Sequence, residues 1–521
     1  MNNNEFLTDW GLTLMVFLPA AGALVMLLIA KAEEETHKWV ALTAALASAA
    51  VGVAVLADFD YGQTDRLQFV VDTSWIDVIH ARYFLGIDGL SVPLVALTLL
   101  ITPLCIIYSW NHFPEPRNPK AFLILLLVLQ TGMLGTFVAQ DLILFFVFFE
   151  VVLLPMYFLI GVWGAEQRQY AAIKFFLFTL FGSALMIVSF LALFFVAGGE
   201  TFAIPELAER ISDPAGFDIE AVPLATQVLI FGGMFMGFGI KVPIFPFHTW
   251  LPDAHTQAPT VGSVILAAIL LKLGTYGFVR VALPILPEAA VEWAPYIGAL
   301  AVIGIIYGAL ACLAQTDMKR LIAFSSVSHM GFTMLGIATL TDFGLNAAVM
   351  GMVAHGLITG MLFFLAGSVK ERYHTLEIHR LGGILVKAPR MGWILGFTAM
   401  ASLGLPGLAG FWGEFPAILS AYDPGAGLST VTFRVYMVIA ALGTVFAAGY
   451  LLWLYQRTSF GVPTEEFEDD DIADVQAPEW IAWVPMLALI LVIGIYPNLV
   501  FRVTDDQLTS VAQMLTAAVG G

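Results

Sequence analysis

Several residues that can carry a proton interrupt long apolar stretches of this sequence. They are carboxylates, amines and imidazoles on six different stretches: Glu150, Lys241, Lys272, His329, His355 and Glu414. Glu150, for example, is embedded in FFVFFEVVLLPMYF. Burial raises the pKa of a carboxyl group and lowers that of an amine, which brings both towards the range where protons are exchanged at working pH. The pattern therefore predicts a proton relay.

A structural role is the alternative for most of these residues, since a charge at the bilayer centre costs about 2.5–3.5 kcal/mol on insertion scales. Glu150 and Lys241 could form a static ion pair that fixes helix register. His329 and His355 could hydrogen-bond across helices.

The structural alternative is weaker for the other two residues. Lys272 has no acidic residue on its own stretch, and its position in the middle of that stretch disfavours snorkelling to the membrane surface. Glu414 lies close to Pro406 and Gly413, next to an interruption of the helical pattern, where a functional role is favoured.

The composition indicates a polytopic membrane protein. The chain has 521 residues, 59% of them hydrophobic and 12% charged, whereas soluble domains contain about 25% charged residues. The net charge of −18 and the lack of a basic patch argue against a nucleic-acid partner. The start, MNNNEFLTDW, lacks the features of a signal or transit peptide. This fits a bacterial inner-membrane or an organelle-encoded protein.

No motif for a redox or nucleotide cofactor occurs in the sequence. The two cysteines, Cys105 and Cys312, lie in apolar stretches and are too few for an iron–sulfur site. His248 and His255 lack further ligands, so we interpret them as anchors of an interfacial turn and not as metal ligands. We expect no cofactor and no metal in this chain.

Apolar stretches of about 18 residues or more predict membrane-spanning helices. Fourteen such spans are predicted, at 11–30, 39–57, 83–108, 121–138, 141–163, 171–197, 225–249, 259–280, 295–313, 320–340, 344–369, 391–421, 434–456 and 480–501. Proline and glycine interrupt spans 7 and 12, and broken helices persist in a bilayer only inside protein or beside a wet cavity. The segment 58–82 is predicted to form a short external hairpin. The predicted fold class is an all-α polytopic membrane protein.

The two broken helices, 7 and 12, are five spans apart. Spans 4–8 and 9–13 are therefore predicted to be two five-helix repeats, inverted because each contains an odd number of helices. Such repeats are typical of secondary ion transporters. The predicted domains are 1–120 (helices 1–3 and the hairpin), 121–283 (first repeat), 291–460 (second repeat) and 461–521 (acidic loop, helix 14 and C-terminal tail).

The basic residues predict the orientation and a direction for the relay. Most of the 22 Lys and Arg residues lie in connections reached after odd-numbered spans, which places those loops in the cytoplasm and both termini outside, in the periplasm.

In the resulting hypothesis a proton enters from the cytoplasm, is held at Lys272 and passes the histidines to Glu414. Glu150 and Lys241 act as a switch pair. Since moving one charge against 100 mV costs about 2.3 kcal/mol, the energy must come from elsewhere.

A set of motifs resembles the antiporter-like membrane subunits of respiratory complex I. The motifs cover residues 83–420 and are YFLGIDGLS, FFEVVLLPMYFLIGVWG, KVPIFPFHTWLPDAHTQAPT, LLKLGTYGFVR, KRLIAFSSVSHMGF and GFWGEFP. Within this family the pattern is similar to the subunit M branch, because broken helix 12 carries Glu414 where the sister chains usually carry lysine. The chain also stops about twenty residues after span 14, which leaves no room for the lateral helix of subunit L.

The resemblance implies a proton-translocating subunit of a translocase in the cell inner membrane. Glu150 and Lys241 would be the switch pair, Lys272 the central carrier, His329 and His355 the linking groups and Glu414 the exit-side residue. NADH, FMN, the iron–sulfur clusters and the quinone would belong to partner subunits. Sister antiporter-like chains would flank this one in the lipid bilayer.

Two other functions compete with this one. A subunit of a multi-subunit sodium–proton antiporter would share the same core motifs. A structural membrane scaffold with vestigial charges is disfavoured, since titratable groups on so many separate spans are costly to retain.

Overall fold

Thirteen helices are long and apolar enough to cross a membrane in the part of the chain that the computed structural model describes, residues 3–110 and 112–520. Each of them corresponds to one predicted span. The remaining span, 391–421, consists of two helices of 14 and 12 residues. The helical membrane fold and the position of the second break are thus confirmed.

The helices, numbered in chain order, are α1 (Asn3–Leu28), α2 (Glu34–Asp58), α3 (Ser91–Tyr108), α4 (Pro119–Val138), α5 (Leu142–Trp163), α6 (Arg168–Val196), α7 (Ile204–Ser212), α8 (Leu224–Lys241), α9 (Trp250–Gln257), α10 (Thr260–Ile285), α11 (Pro287–Leu313), α12 (Met318–Ala338), α13 (Asp342–Tyr373), α14 (Ile384–Lys387), α15 (Pro389–Ser402), α16 (Ala409–Ser420), α17 (Thr430–Ser459), α18 (Ala477–Ile495) and α19 (Asn498–Gly520). Two strands, β1 (Gln68–Ile76) and β2 (Ala81–Ile87), pair antiparallel.

The two breaks have local causes. Span 7 stops at Lys241, and residues 242–249, which include Pro243 and Pro246, separate α8 from α9. Span 12 is interrupted at residues 403–408, where Gly404 and Gly407 adopt φ angles of +77° and +94°. That left-handed conformation favours glycine and cannot continue a right-handed helix. Each break therefore lies in the fourth helix of its predicted repeat.

Two segments differ from the prediction. Span 3 was expected to begin at residue 83, but residues 81–87 pair with β1, so the hairpin extends beyond residue 82 and α3 begins at Ser91. The expected C-terminal tail is helix α19, of 23 residues. Its Val503 and Leu508 are buried, and Asn346 of α13 donates a hydrogen bond of 3.0 Å to its Asp505. Packing on the membrane helices therefore stabilises a helix that local hydropathy does not reveal.

The acidic run 465–471, which the sequence leaves without a role, lies across the connection between α13 and α15. Glu466 pairs with Arg380, and this hydrogen-bonded guanidinium holds the pKa of the Glu466 carboxyl below its usual range. The amine of Lys387 donates to the carbonyl oxygens of Glu468 and Asp470, at 2.6 and 3.0 Å. The loop thus binds two basic side chains at this end of the helices and neutralises one of them, Arg380.

Helix α10 is held by a buried polar network near its C-terminal end. The Arg280 guanidinium donates two hydrogen bonds to the Asp88 carboxylate, at 2.5 and 2.6 Å, with side chains 7% and 2% exposed. It also donates to the hydroxyl of Tyr276, at 3.0 Å, and Tyr276 donates to the carbonyl of Phe137 at 2.8 Å. Helix α10 is thereby fixed to the start of α3 and the end of α4.

Replacing Arg280 with methionine is expected to destabilise the protein strongly, because the buried Asp88 charge loses its partner, a change that costs about 3–5 kcal/mol. The midpoint of thermal unfolding of the purified protein in detergent measures the effect.

Arg320→Met is the matched control. Arg320 is 47% exposed and lies 3.9 Å from Asp253, and exposed pairs contribute only about 0–1 kcal/mol. Equal midpoints for the two variants would contradict a stabilising role for the Arg280–Asp88 pair.

Candidate proton-transfer site

Lys272 and His355 are in direct contact at the centre of the helix assembly. Lys272 is fully buried in α10, between two π-helical segments, Leu266–Leu270 and Phe278–Ala282. Its amine donates to the carbonyl of Ala267, at 2.5 Å, and lies 2.6 Å from Nδ1 of His355 on α13. Nitrogen atoms this close are within reach for direct proton transfer.

His329 and Glu414 form a second contact. Nδ1 of His329, on α12, lies 2.5 Å from Oε1 of Glu414, on α16. The other ring nitrogen, Nε2, lies 3.0 Å from the hydroxyl of Tyr450, on α17, and 3.2 Å from that of Ser402, the last residue of α15. Helices on both sides of the second break therefore contribute to the surroundings of one imidazole.

A small cavity separates the two contacts. The rings of His355 and His329 are 6.1 Å apart between centroids. Both histidines, Ser402 and Glu414 line a cavity of about 20 Å³, which is room for one water molecule. Nε2 of His355 is buried without a hydrogen-bond partner, and a buried polar atom of this kind is costly unless water satisfies it. One water in this cavity would complete a continuous path from Lys272 to Glu414.

Close packing of α13 against α16 aligns this path. A Cβ atom at Gly413 would lie 2.5 Å from the Cα atom of Gly351. Only glycine allows the two backbones to approach so closely. Because Glu414 follows Gly413 directly, this crossing places its carboxyl group beside the histidines.

Lys241 and Glu150 lie near each other without forming an ion pair, as far as the described residues show. Lys241 is buried at the end of α8, and its amine lies over the ring of Phe149, 4.7 Å from the ring centroid. Oε1 of Glu150 is buried without a hydrogen-bond partner. A Cβ atom at Gly274 of α10 would lie 3.1 Å from Cβ of Lys241. The end of α8 therefore packs against α10 within two residues of Lys272.

A larger polar cavity opens on the side of the protein that carries the acidic loop. It has a volume of about 870 Å³ and is lined by charged and titratable residues, among them His112, Lys319, Lys370 and Glu371. Nε2 of His112 lies 3.7 Å from Oε2 of Glu371. Lys319 is buried in its wall and donates to the carbonyl of Ala258, at 2.5 Å.

His248 and His255 lie within and just after the break that follows α8. Both are buried, because the break after α8 directs α9 into the protein interior. The ring of His255 stacks on Phe363, 4.4 Å between centroids, and neither of its nitrogens has a hydrogen-bond partner. No group of three or more His, Cys, Asp or Glu residues is arranged to bind a metal ion within the described ranges.

The structure thus brings four of the six predicted residues into one path and leaves Glu150 and Lys241 beside it. Sequence analysis missed Tyr450 and Ser402. Their only signals are a tyrosine within the apolar stretch AAGYLLW and a serine next to the second break.

Comparisons with known proteins show which family the chain belongs to. Residues 139–440 match the family described as "NADH:quinone oxidoreductase/Mrp antiporter, TM", and residues 14–136 match "NADH-ubiquinone oxidoreductase chain 4, amino terminus". NADH-quinone oxidoreductase subunit M of Rhodobacter capsulatus is 39% identical over 523 residues, 98% of each chain. NAD(P)H-quinone oxidoreductase chain 4 2 of Thermosynechococcus vestitus is 37% identical over 509 residues, 98% of this chain and 93% of that one.

A solved structure agrees as well. A chain of respiratory complex I from Thermus thermophilus superimposes with a TM-score of 0.84 at 28% identity, over 98% of this chain and all of that one. With the whole length matched in sequence and in fold, the chain belongs to the antiporter-like membrane subunits of complex I, in the subunit M branch of that family.

Proposed function

We propose that this chain translocates protons across the membrane as a subunit of an NADH–quinone oxidoreductase. The observation that carries the proposal is the path Lys272–His355–cavity–His329–Glu414, in which each direct contact is 2.5–2.6 Å and one water-sized gap remains. Lys272 is the central carrier, the histidines link it to Glu414, and Glu414 is the exit-side residue.

Protons reach Lys272 from the large polar cavity. Lys319 forms part of its wall, and His255 is close enough to Lys319 and to Lys272 to interact electrostatically with both amines. The unpartnered nitrogens of His255 favour a hydrated connection here, since buried polar atoms require partners. The positive-inside rule assigns this side to the cytoplasm and both termini to the periplasm, in a cell inner membrane.

Glu150 and Lys241 act as the switch in this scheme. The separated arrangement leaves Lys241 next to α10 without a direct ion-pair partner, and like charges repel more strongly in a low-dielectric interior. The Lys241 amine then favours release of the proton from Lys272 towards His355. Pairing with Glu150 would offset that charge and favour proton retention at Lys272.

The energy and the redox groups come from partner subunits. We expect no cofactor in this chain; NADH, FMN, the iron–sulfur clusters and the quinone are assigned to other subunits, and sister antiporter-like chains are the neighbours within the bilayer. The support is family membership, together with the Thermus thermophilus complex, which is described with bound NADH.

Replacing Lys272 with methionine is expected to abolish NADH-driven proton uptake into vesicles that contain the purified complex, with assembly on a native gel unchanged. The side chain keeps its length and loses the group that holds the proton. Lys31→Met, at an exposed residue in the connection between α1 and α2, is the control and should pump normally. Loss of assembly in Lys272→Met but not in the control would support a scaffold instead.

Replacing Glu150 with glutamine is expected to lower proton uptake and NADH oxidation together, by about a hundredfold, the lower end of the contribution of one proton-transfer group. Both rates are measured on the same vesicles. If both match the wild type, Glu150 is a tolerated structural charge and the switch is wrong.

The alternative, a sodium–proton antiporter subunit, is favoured only by the mention of Mrp antiporters in the matching family. It predicts sodium-dependent proton movement without NADH. Proton uptake that requires NADH and is unchanged when potassium replaces sodium would exclude it.

A further inference from the structure

We infer that Tyr450 and Ser402 form a hydroxyl pair that lets His329 take up and release a proton without moving, an inference that rests on the proposed function. Both hydroxyls converge on one ring nitrogen: Nε2 lies 3.0 Å from the Tyr450 oxygen and 3.2 Å from the Ser402 oxygen. Each residue is buried, on a different helix. The pair is therefore shielded from competing bulk water.

The contact at the other ring nitrogen, Nδ1, determines whether Nε2 donates or accepts a hydrogen bond. Glu414 is the partner of Nδ1, at 2.5 Å, and an ionised carboxylate only accepts hydrogen bonds. Neutral His329 must then carry its proton on Nδ1, which leaves Nε2 as an acceptor. A hydroxyl can supply the hydrogen bond that Nε2 needs in this state.

The same hydroxyls fit the other protonation states. When a proton arrives from His355 through the cavity water, the Ser402 oxygen accepts it while the original O–H bond of Ser402 breaks and an N–H bond forms at Nε2. The ring becomes an imidazolium and donates to that hydroxyl oxygen. The Nδ1 proton can then pass to Glu414: the N–H bond breaks, an O–H bond forms, and the ring is neutral with Nε2 protonated. The hydroxyl still accepts from Nε2, and the protonated carboxyl group donates to Nδ1. Hydroxyls are suited to this because each one both donates and accepts.

The groups that face His329 come from four neighbouring helices. They are Glu414 on α16, His355 on α13 across the cavity, Tyr450 on α17 and Ser402 at the end of α15. Ser402 also lines the cavity with both histidines. A water in that cavity can thus deliver a proton to Nε2 through Ser402. Tyr450 and Ser402 are positioning residues, since they act through the imidazole.

The test uses the purified parent complex in vesicles and compares coupled NADH oxidation and proton uptake in H₂O and D₂O. Tyr450→Phe removes one hydroxyl and keeps the ring, so we expect slower turnover and a larger solvent isotope effect. The double variant Tyr450→Phe/Ser402→Ala leaves Nε2 without a partner and should lose at least about tenfold in turnover, the loss expected for a hydrogen bond to a charged group. Tyr450→Phe/Ser402→Thr keeps one hydroxyl and should recover most of the rate.

Tyr455→Phe is the matched control. Tyr455 lies on the same helix, α17, but its hydroxyl packs against Gly396 of α15 and not against His329. Its rate and isotope effect should equal those of the wild type. Wild-type values in the double variant would overturn the inference. If the double variant does not assemble, wild-type turnover and isotope effect in Tyr450→Phe alone would overturn it.

Lys272→Met separates this inference from the proposed function. If Lys272→Met pumps normally, the proposed function is wrong. If Lys272→Met abolishes pumping while the hydroxyl variants are normal, only the role of Tyr450 and Ser402 is wrong.

Discussion

The cost of placing charged groups in hydrocarbon is the constraint on which the rest of this structure depends. An ionised group in a low-dielectric interior must be paired, hydrogen-bonded or hydrated. Arg280 and Asp88 meet this requirement with a bidentate, nearly inaccessible pair. Lys272 meets it differently, through one carbonyl and one imidazole. The first solution fixes a helix, while the second keeps the proton free to move.

The difference between the Arg280–Asp88 pair and the contacts of Lys272 explains how one fold can be both rigid and active. An arginine cannot release its proton. The hydrogen bonds of the Arg280–Asp88 network therefore connect α10 to α3 and α4 in every protonation state of the path. Every group in the proposed path, in contrast, is a lysine, a histidine, a carboxyl or a hydroxyl, all of which can exchange protons. The rigid network holds α10 in register while the exchangeable groups change state. Close crossings at Gly274 and Gly413 serve the same purpose.

The two broken helices place side chains at positions that a continuous helix could not reach. The break after Lys241 directs α9 and His255 inwards, and the break after Ser402 brings its hydroxyl to His329. Irregular backbone at this depth is tolerated only inside protein or beside water, and Ser402 at the edge of the second break lines the small cavity. In the proposed function the two cavities carry the proton where side chains do not touch.

The sequence by itself determined the membrane class, thirteen apolar helices long enough to cross a membrane, the two breaks and the identities of the six titratable residues proposed for proton transfer. These are properties of local hydropathy and of proline and glycine, which act over a few residues. The tertiary structure alone decided that β2 replaces the start of span 3, that the C-terminal segment is a helix, and that His248 and His255 are buried. It also decided that Lys272 contacts His355, that Glu150 and Lys241 stand apart, and that Tyr450 and Ser402 meet at one nitrogen. Such contacts join residues up to 121 positions apart, and only the packing of distant helices determines which of them form.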